Sequence, residues 1–315
     1  MLTLLLNRYI IAFTAVYAIL LVLLVQVEDY PIGNILAILV ILGLLFTSVA
    51  YLLSKNAQPV FLDRIAQKHE AYIIGGFIIY LIVFLTYYKT LLISGDNSLF
   101  NTSESLEEII VGFAKVIFLV IIPISIYKFI YGFSLKDWGI SHPFKSYLSR
   151  RSFLIFVVFL FIIIPFQYFA GNGAKPVREG IFSVSQLLIS IPISYIWLIL
   201  VVGIVEEFYF RAFLQSRLSV ILKSDVGGVI ISAVIFGLAH APGLYLRGSG
   251  QIANIGLEPS LLLSIGYSFL VLSVAGFFLS VIWLKTKNFW LIVAIHALVD
   301  LLPGLPEFIT IFAIK

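Results

Sequence analysis

Apolar residues run through this chain in long blocks separated by short polar stretches. A helical membrane span needs about 20 apolar residues. Nine blocks approach or exceed that length, at about 9–26, 32–53, 71–93, 109–131, 152–170, 186–211, 226–241, 260–284 and 289–302. The seventh and ninth are the shortest, and a tenth stretch, 308–314, is too short to cross alone. The blocks do not alternate apolar and polar residues as barrel strands do, so the expected fold is an all-α, polytopic transmembrane bundle of about nine spans. No small-residue cleavage site follows the first block, which runs into Gln26-Val27-Glu28-Asp29-Tyr30-Pro31, so it reads as a retained helix.

The loops between blocks carry an uneven load of positive charge. With the N-terminus inside, the cytoplasmic loops hold Arg8, Lys55, Arg64, Lys68, Lys128, Lys136, Lys145, Arg150, Arg151, Arg217, Lys223, Lys285 and Lys287. The outer loops hold only Lys89, Lys175, Arg178, Arg247 and Lys315, while Lys115 and Arg211 fall inside spans. That asymmetry predicts a cytoplasmic N-terminus. Residues 59–70 mix apolar and charged side chains and read as a helix lying on the headgroups. Residues 134–140 place Trp138 among basic residues, as at a membrane interface. Asn101-Thr102-Ser103 matches a glycosylation acceptor, a weak signal.

Composition agrees with the pattern. Hydrophobic residues make up 61% of the 315, and charged residues 11%, against about 25% in soluble domains. There is no cysteine, which excludes disulfides and thiolate metal sites. The net charge of +4 is accounted for by basic loops, so the expected partner is the lipid bilayer and not nucleic acid. The chain divides into 1–131, four spans of unknown role; 132–184, a connecting loop with the fifth span; and 185–315, where the candidate chemistry lies.

That chemistry begins where Glu206, Glu207 and Arg211 interrupt a run that carries no charge from 185 to 205. One ionised side chain at the centre of a span costs roughly 2.5–3.5 kcal/mol on insertion scales. Two further motifs follow: Phe236-Gly237-Leu238-Ala239-His240 and His296-Ala297-Leu298-Val299-Asp300. Glu207 and Arg211 are four apart with the acid first, the favourable order for a helical ion pair. His296 and Asp300 are also four apart and share a face. Glu206 points about 100° away from Glu207, so it is free for another partner.

A turn near Lys223-Ser224 lies about 24 Å of helix from both Glu206 and His240, which puts the two level across a hairpin. The polar tip, with Gln215, Arg217, Ser219, Lys223, Ser224 and Asp225, reads as projecting into the cytoplasm. That projection is what would bring His296 and Asp300 to the same depth. The other two of the four histidines, His69 and His142, lie in polar loops. Such a set supports hydrolysis. A glutamate in a low-dielectric site suits the work of a general base, His240 could hold the water with it, and His296 could stabilise an oxyanion. No serine or cysteine stands inside the motifs as a nucleophile.

At these residues the chain resembles the CAAX protease and bacteriocin-processing (abortive-infection) family of intramembrane endopeptidases. The family pattern is Glu-Glu-x-x-x-Arg, then Phe-x-x-x-His, then His-x-x-x-Asn or Asp, matched here by Glu206 to Arg211, Phe236 to His240 and His296 to Asp300, over about 185–302. Leu135-Lys136-Asp137-Trp138-Gly139-Ile140 is similar to a segment often found upstream of that core. The resemblance implies an integral membrane peptidase whose substrate is a hydrophobic or lipidated peptide, with a helical cavity open to the cytoplasm. It implies Glu206 as base, His240 as its water-holding partner, Glu207 and Arg211 as supports, and His296 with Asp300 around the oxyanion. Prenyl-protein members usually carry Asn where this chain has Asp300. An ionised Asp there would orient His296 or join Glu206, His240 and His296 as ligands to zinc. With no His-Glu-x-x-His spacing, a metal-independent reaction without cofactor is the expectation. Two other classes fit the same residues: a non-catalytic immunity or scaffold protein, and a proton-coupled transporter using Glu206, His240 and Asp300 as a relay. Against transport, the chain shows no repeated halves.

Overall fold

The computed structural model describes residues 7–92, 103–142, 147–248 and 255–314, the side chains of 88–92 and 247 excepted. Asn101, Lys145 and Lys315 lie outside the described residues, as do the side chains of Lys89 and Arg247. The fold is all-α, with nine membrane-length helices among the described residues. They are α1 Arg8–Val27, α2 Ile32–Ser54, α3 Glu70–Tyr87, α4 Glu104–Tyr131, α5 Arg150–Ala170, α6 Val184–Ile221, α7 Asp225–Leu246, α8 Leu261–Thr286 and α9 Phe289–Ile311. Local chemistry sets the starts. Ser183 and Gln186 form a reciprocal capping box at α6, Ser224 Oγ accepts from Gly227 N at the start of α7, and Asn288 Oδ1 accepts from Leu291 N at α9. The turn between α6 and α7 falls where expected, with Lys223 in the left-handed region at φ 50°.

The helices gather into two compact units, each discontinuous in sequence. One comprises Met1–Thr86, Lys136–Gly139 and Phe210–Lys287; the other comprises Tyr87–Leu135, Ile140–Tyr209 and Asn288–Lys315. Each of the regions 1–131, 132–184 and 185–315 therefore contributes to both.

In the first unit, α1, α2 and α8 build an apolar core around Leu24, Ile35, Leu270 and Val274, all fully or nearly fully buried. Gly266 lets α8 approach α1 so closely that a Cβ there would lie 2.0 Å from Leu24 Cδ1. At the end of α6, Gln215, Ser216, Arg217 and Ser219 are buried, while Lys223 and Asp225 at the turn are exposed. The Arg217 guanidinium donates through Nε to Glu70 Oε1 at 2.5 Å and through Nη2 to Glu70 Oε2 at 2.9 Å. It also donates to the carbonyls of Arg64 and Ile65 at 2.8 and 3.1 Å. Ser216 Oγ accepts from Trp283 Nε1 and Lys287 Nζ, both at 3.0 Å.

The partner of this polar end is the stretch 59–69, which is an irregular strap and not the surface helix its composition suggests. Its groups are committed elsewhere. Val60 N donates to Thr286 O, Asp63 pairs with Lys287 at 2.6 Å, and Arg64 pairs with Asp137 at 2.8 Å. Burial pushes the Lys287 ammonium below the usual lysine range, and the Asp63 carboxylate opposes that shift. Leu62 and Ile65, 83% and 80% exposed, are the apolar side chains left over. Trp138 lies in a 3₁₀ turn, Leu135–Trp138, and is buried with its ring centroid 5.8 Å from that of Phe213.

In the second unit α9 is the central helix. It continues through 308–311, so the stretch read as an isolated apolar tail is its last turns. Pro303 and Pro306 lie inside it, and a proline removes one rung of the helical ladder. The rung lost at Pro303 leaves the carbonyl of Val299, and the buried Gln167 of α5 donates its side-chain amide to that oxygen. On the other side of His296, Tyr195 Oη of α6 donates to Ala294 O at 3.1 Å. Gly203 of α6 and Gly173 bring backbone against α9, with ideal Cβ positions 3.0 Å from Val293 O and 2.7 Å from Pro303 Cα. Replacing Gln167 by Leu strands the Val299 carbonyl. Unfolding in detergent should show a loss of about 1–3 kcal/mol, and an unchanged midpoint would mean that the proline is accommodated by other means.

α6 is also longer than its apolar block predicts, because the expected end at 211 is inside the helix. Two stretches of it, Ile199–Gly203 and Glu207–Gln215, are π-helical. Stretches of α2, α4 and α8 are π-helical as well, so these wide turns do not by themselves mark a site.

Candidate functional site

In the second unit, α6 and α9 bring three carboxylates to one imidazole. His296 Nδ1 lies 2.5 Å from Glu207 Oε1. The other ring nitrogen, Nε2, lies 3.4 Å from Asp300 Oδ2 and 3.9 Å from Glu206 Oε2. An ionised carboxylate only accepts, so with Glu207 ionised the proton on Nδ1 is donated to it. This fixes the ring and turns Nε2 toward Glu206 and Asp300.

Burial divides the four. Glu207 is fully buried and the His296 side chain 5% exposed, whereas Glu206 and Asp300 are 19% and 38% exposed. Glu207 and His296 form the buried inner pair, and Glu206 and Asp300 are the outer, partly exposed carboxylates. The i, i+4 reading of His296 with Asp300 is realised. The bond from Glu207 to His296, across 89 residues of sequence, is one that local spacing could not disclose.

Arg211 and His240 lie in the first unit, joined through Phe236. The Arg211 guanidinium carbon sits 4.3 Å from the centroid of the Phe236 ring, a cation–π geometry, and its Nη2 donates to Gly276 O at 3.3 Å. His240 stacks edge-on to the same ring at 5.1 Å. Its Nδ1 is 2.9 Å from Phe236 O. A carbonyl only accepts, so Nδ1 carries the proton and Nε2 presents its lone pair. Helical spacing of four brings residue 240 over carbonyl 236, which is the physical content of the Phe-x-x-x-His pattern. Gly237 is required by close packing, since a Cβ there would lie 2.2 Å from Ser273 Oγ and 2.4 Å from Ser268 O. Gly276 is the residue that motif reasoning passed over, since it lies outside all three motifs; Phe236 is the first residue of the second motif.

Among the described residues, no three His, Cys, Asp or Glu side chains are grouped so as to hold a metal ion.

These features define an all-α, multi-pass membrane protein with a buried carboxylate–histidine cluster in a wide-turn helix. Residues 188–302 match the family model described as Rce1-like, type II CAAX prenyl endopeptidase Rce1-like. Over that stretch, a little over a third of the chain, the likeness to the CAAX protease family implied by the three motifs is shown. All six candidate residues lie within it, and the match supports peptidase activity in a membrane setting. No curated protein and no solved structure matches the chain.

Proposed function

We propose that the protein is an intramembrane endopeptidase that hydrolyses a hydrophobic or lipid-anchored peptide near the cytoplasmic face of a cell membrane, with its N-terminus cytoplasmic. The observation that carries this reading is the division within the cluster, in which a buried Glu207–His296 pair sits beside a partly exposed Glu206. Glu206 takes a proton from water, and the hydroxide adds to the carbonyl carbon of the scissile bond. With both ring nitrogens protonated, His296 is an imidazolium between Glu207 and Asp300, and its Nε2–H meets the charge that develops on the carbonyl oxygen. As the tetrahedral species collapses, the C–N bond breaks and the proton held by Glu206 passes to the leaving amine. Asp300 keeps His296 turned, and Glu207 holds the opposite edge of the ring. To His240, with its Nε2 lone pair, the motif pattern gives the task of holding the water, and to Arg211 that of support.

An apolar substrate is supported by a cavity of about 510 Å³ in the first unit, between α3, α7 and α8. Ile235, Leu238, Ala239, Ala241 and Pro242, which flank His240 in sequence, form one wall. A volume of this size falls within the range of roughly 300–1,000 Å³ typical of ligand sites. The reading is tested with purified protein in liposomes and a fluorogenic membrane peptide. Cleavage should occur and should persist in a strong zinc chelator. Loss of cleavage with restoration by zinc would overturn the metal-free route, and no cleavage of any membrane peptide would overturn the peptidase reading itself.

A further inference from the structure

The strap of 59–69 holds two large apolar side chains out of the protein, Leu62 and Ile65, and the rest of it is tied to the first unit. Val60 N donates to Thr286 O at 2.8 Å, and the Phe61 ring meets that of Trp283 with centroids 5.8 Å apart. Arg217 donates to the carbonyls of Arg64 and Ile65. The Ile65 carbonyl receives a second donor, Gln67 Nε2, at 2.9 Å, and Gln67 N donates to Glu70 Oε2 at 2.9 Å. Leu62 and Ile65 are thus presented by a backbone whose neighbouring polar groups are satisfied from within. Irregular backbone can lie against lipid only on that condition.

Connectivity sets the strap at a membrane surface, because it joins the end of α2 at Ser54 to the start of α3 at Glu70. The exposed apolar sides of both helices lead into it, through Tyr51 and Leu52 on α2 and Tyr72 and Ile79 on α3. Exposed tyrosines at the ends of spans mark the level of the headgroups. Leu62 and Ile65 therefore continue a surface that the bilayer already covers. The charge of the stretch is one-sided. Its two acids, Asp63 and Glu70, are turned inward onto Lys287 and Arg217, and Arg64 is paired with Asp137. Lys55 and Lys68 are exposed, while at the neighbouring turn the exposed Lys223 and Asp225 cancel. The outward face is apolar and cationic, the combination that binds an anionic lipid surface.

We propose that the strap binds anionic phospholipid at the membrane surface. Leu62 and Ile65 sit at the boundary between headgroups and acyl chains, and Lys55 and Lys68 gather headgroups of net negative charge around them. A zwitterionic headgroup carries no net charge for the lysines to attract, so choline phospholipid is the weaker partner. All of these residues lie in the first unit and outside the matched stretch 188–302, and the inference does not rest on the peptidase reading.

The test makes use of a chain without cysteine. A nitroxide is attached at Leu62→Cys, at Ile65→Cys or, as a reference at the exposed turn, at Lys223→Cys. The full chain is then placed in nanodiscs of phosphatidylglycerol or of phosphatidylcholine with identical acyl chains. In phosphatidylglycerol, labels at 62 and 65 should collide more with oxygen, which concentrates in hydrocarbon, than with a water-soluble nickel chelate. The label at 223 should show the reverse. Leu62 and Ile65 are exposed, so both variants should melt in detergent as the wild type does. Native mass spectrometry measures the charge preference. The wild type should retain phosphatidylglycerol about fivefold more strongly than Lys55→Gln, the worth of one lysine near an anionic surface, with no difference for phosphatidylcholine. In about 1 M salt, where charges are screened beyond roughly 3 Å, the difference should vanish. Labels at 62 and 65 that favour the nickel chelate in both lipids would overturn the proposal and make the pair a docking surface for a soluble protein. Equal retention of phosphatidylglycerol by Lys55→Gln and the wild type would overturn the choice of anionic lipid.

Discussion

Glu206→Gln should reduce cleavage of a membrane peptide by about 10²–10⁴-fold, the contribution typical of a positioned general base, while leaving the fold intact. The amide keeps the shape of the side chain and its capacity to accept a hydrogen bond, but it cannot take a proton from water. Stability should be spared for a reason visible in the cluster. Glu206 is partly exposed, and its approach to His296 is 3.9 Å long, too long for a hydrogen bond. Glu207→Gln is the instructive comparison. Glu207 is buried and 2.5 Å from His296, so its replacement removes charge from a closed site and should lower the melting temperature as well as the rate. Single-turnover cleavage and thermal melting on both variants separate the two roles. Cleavage by Glu206→Gln within tenfold of the wild type, with normal melting, would remove Glu206 from the base position.

The largest stability effect should come from the Arg217–Glu70 pair, whose side chains are 2% and 0% exposed. Breaking a buried pair from one side leaves an uncompensated charge, at a cost of about 3–5 kcal/mol. Arg217 adds to that by satisfying the carbonyls of Arg64 and Ile65. Glu70→Gln and Arg217→Met should each lower the unfolding free energy by that amount. The double replacement of both residues by Met should recover a large part of it, because an apolar pair of similar volume need not be dehydrated. The measurement is denaturant unfolding in detergent. Strictly additive losses in the double variant would mean that the two side chains do not act as a pair.

Helix existence and class were legible in the chain because hydrocarbon thickness imposes a length that hydropathy reports directly, and all nine expected runs are helices among the described residues. The motif residues were legible because charge inside an apolar run is conspicuous. Partners distant in sequence were not. Spacing offers Glu207 a neighbour in Arg211, while the bond to His296 crosses 89 residues. The polar end of α6 read as solvent-facing because its partner, the strap with Glu70 after it, lies 147 residues away at Glu70 and is recognisable only once folded. The ninth apolar block ends at 302, just before Pro303, and the donor that lets the helix run on, Gln167, is 132 residues from the carbonyl it satisfies. The π-helical stretches leave no mark on hydropathy, since shifting a hydrogen bond from i+4 to i+5 changes no residue type.

The interleaving of the two units has a consequence for synthesis. The first unit draws on Met1–Thr86 and on Phe210–Lys287, so it cannot close until most of the chain has left the ribosome. Glu70 is made 147 residues before Arg217, and Asp63 is made 224 residues before Lys287. During that interval both carboxylates lack the cations that neutralise them in the finished protein, and water or lipid headgroups must serve instead. Pairings so distant in sequence form late and slowly. The strap that seals the end of α6 is therefore made well before the groups that fasten it.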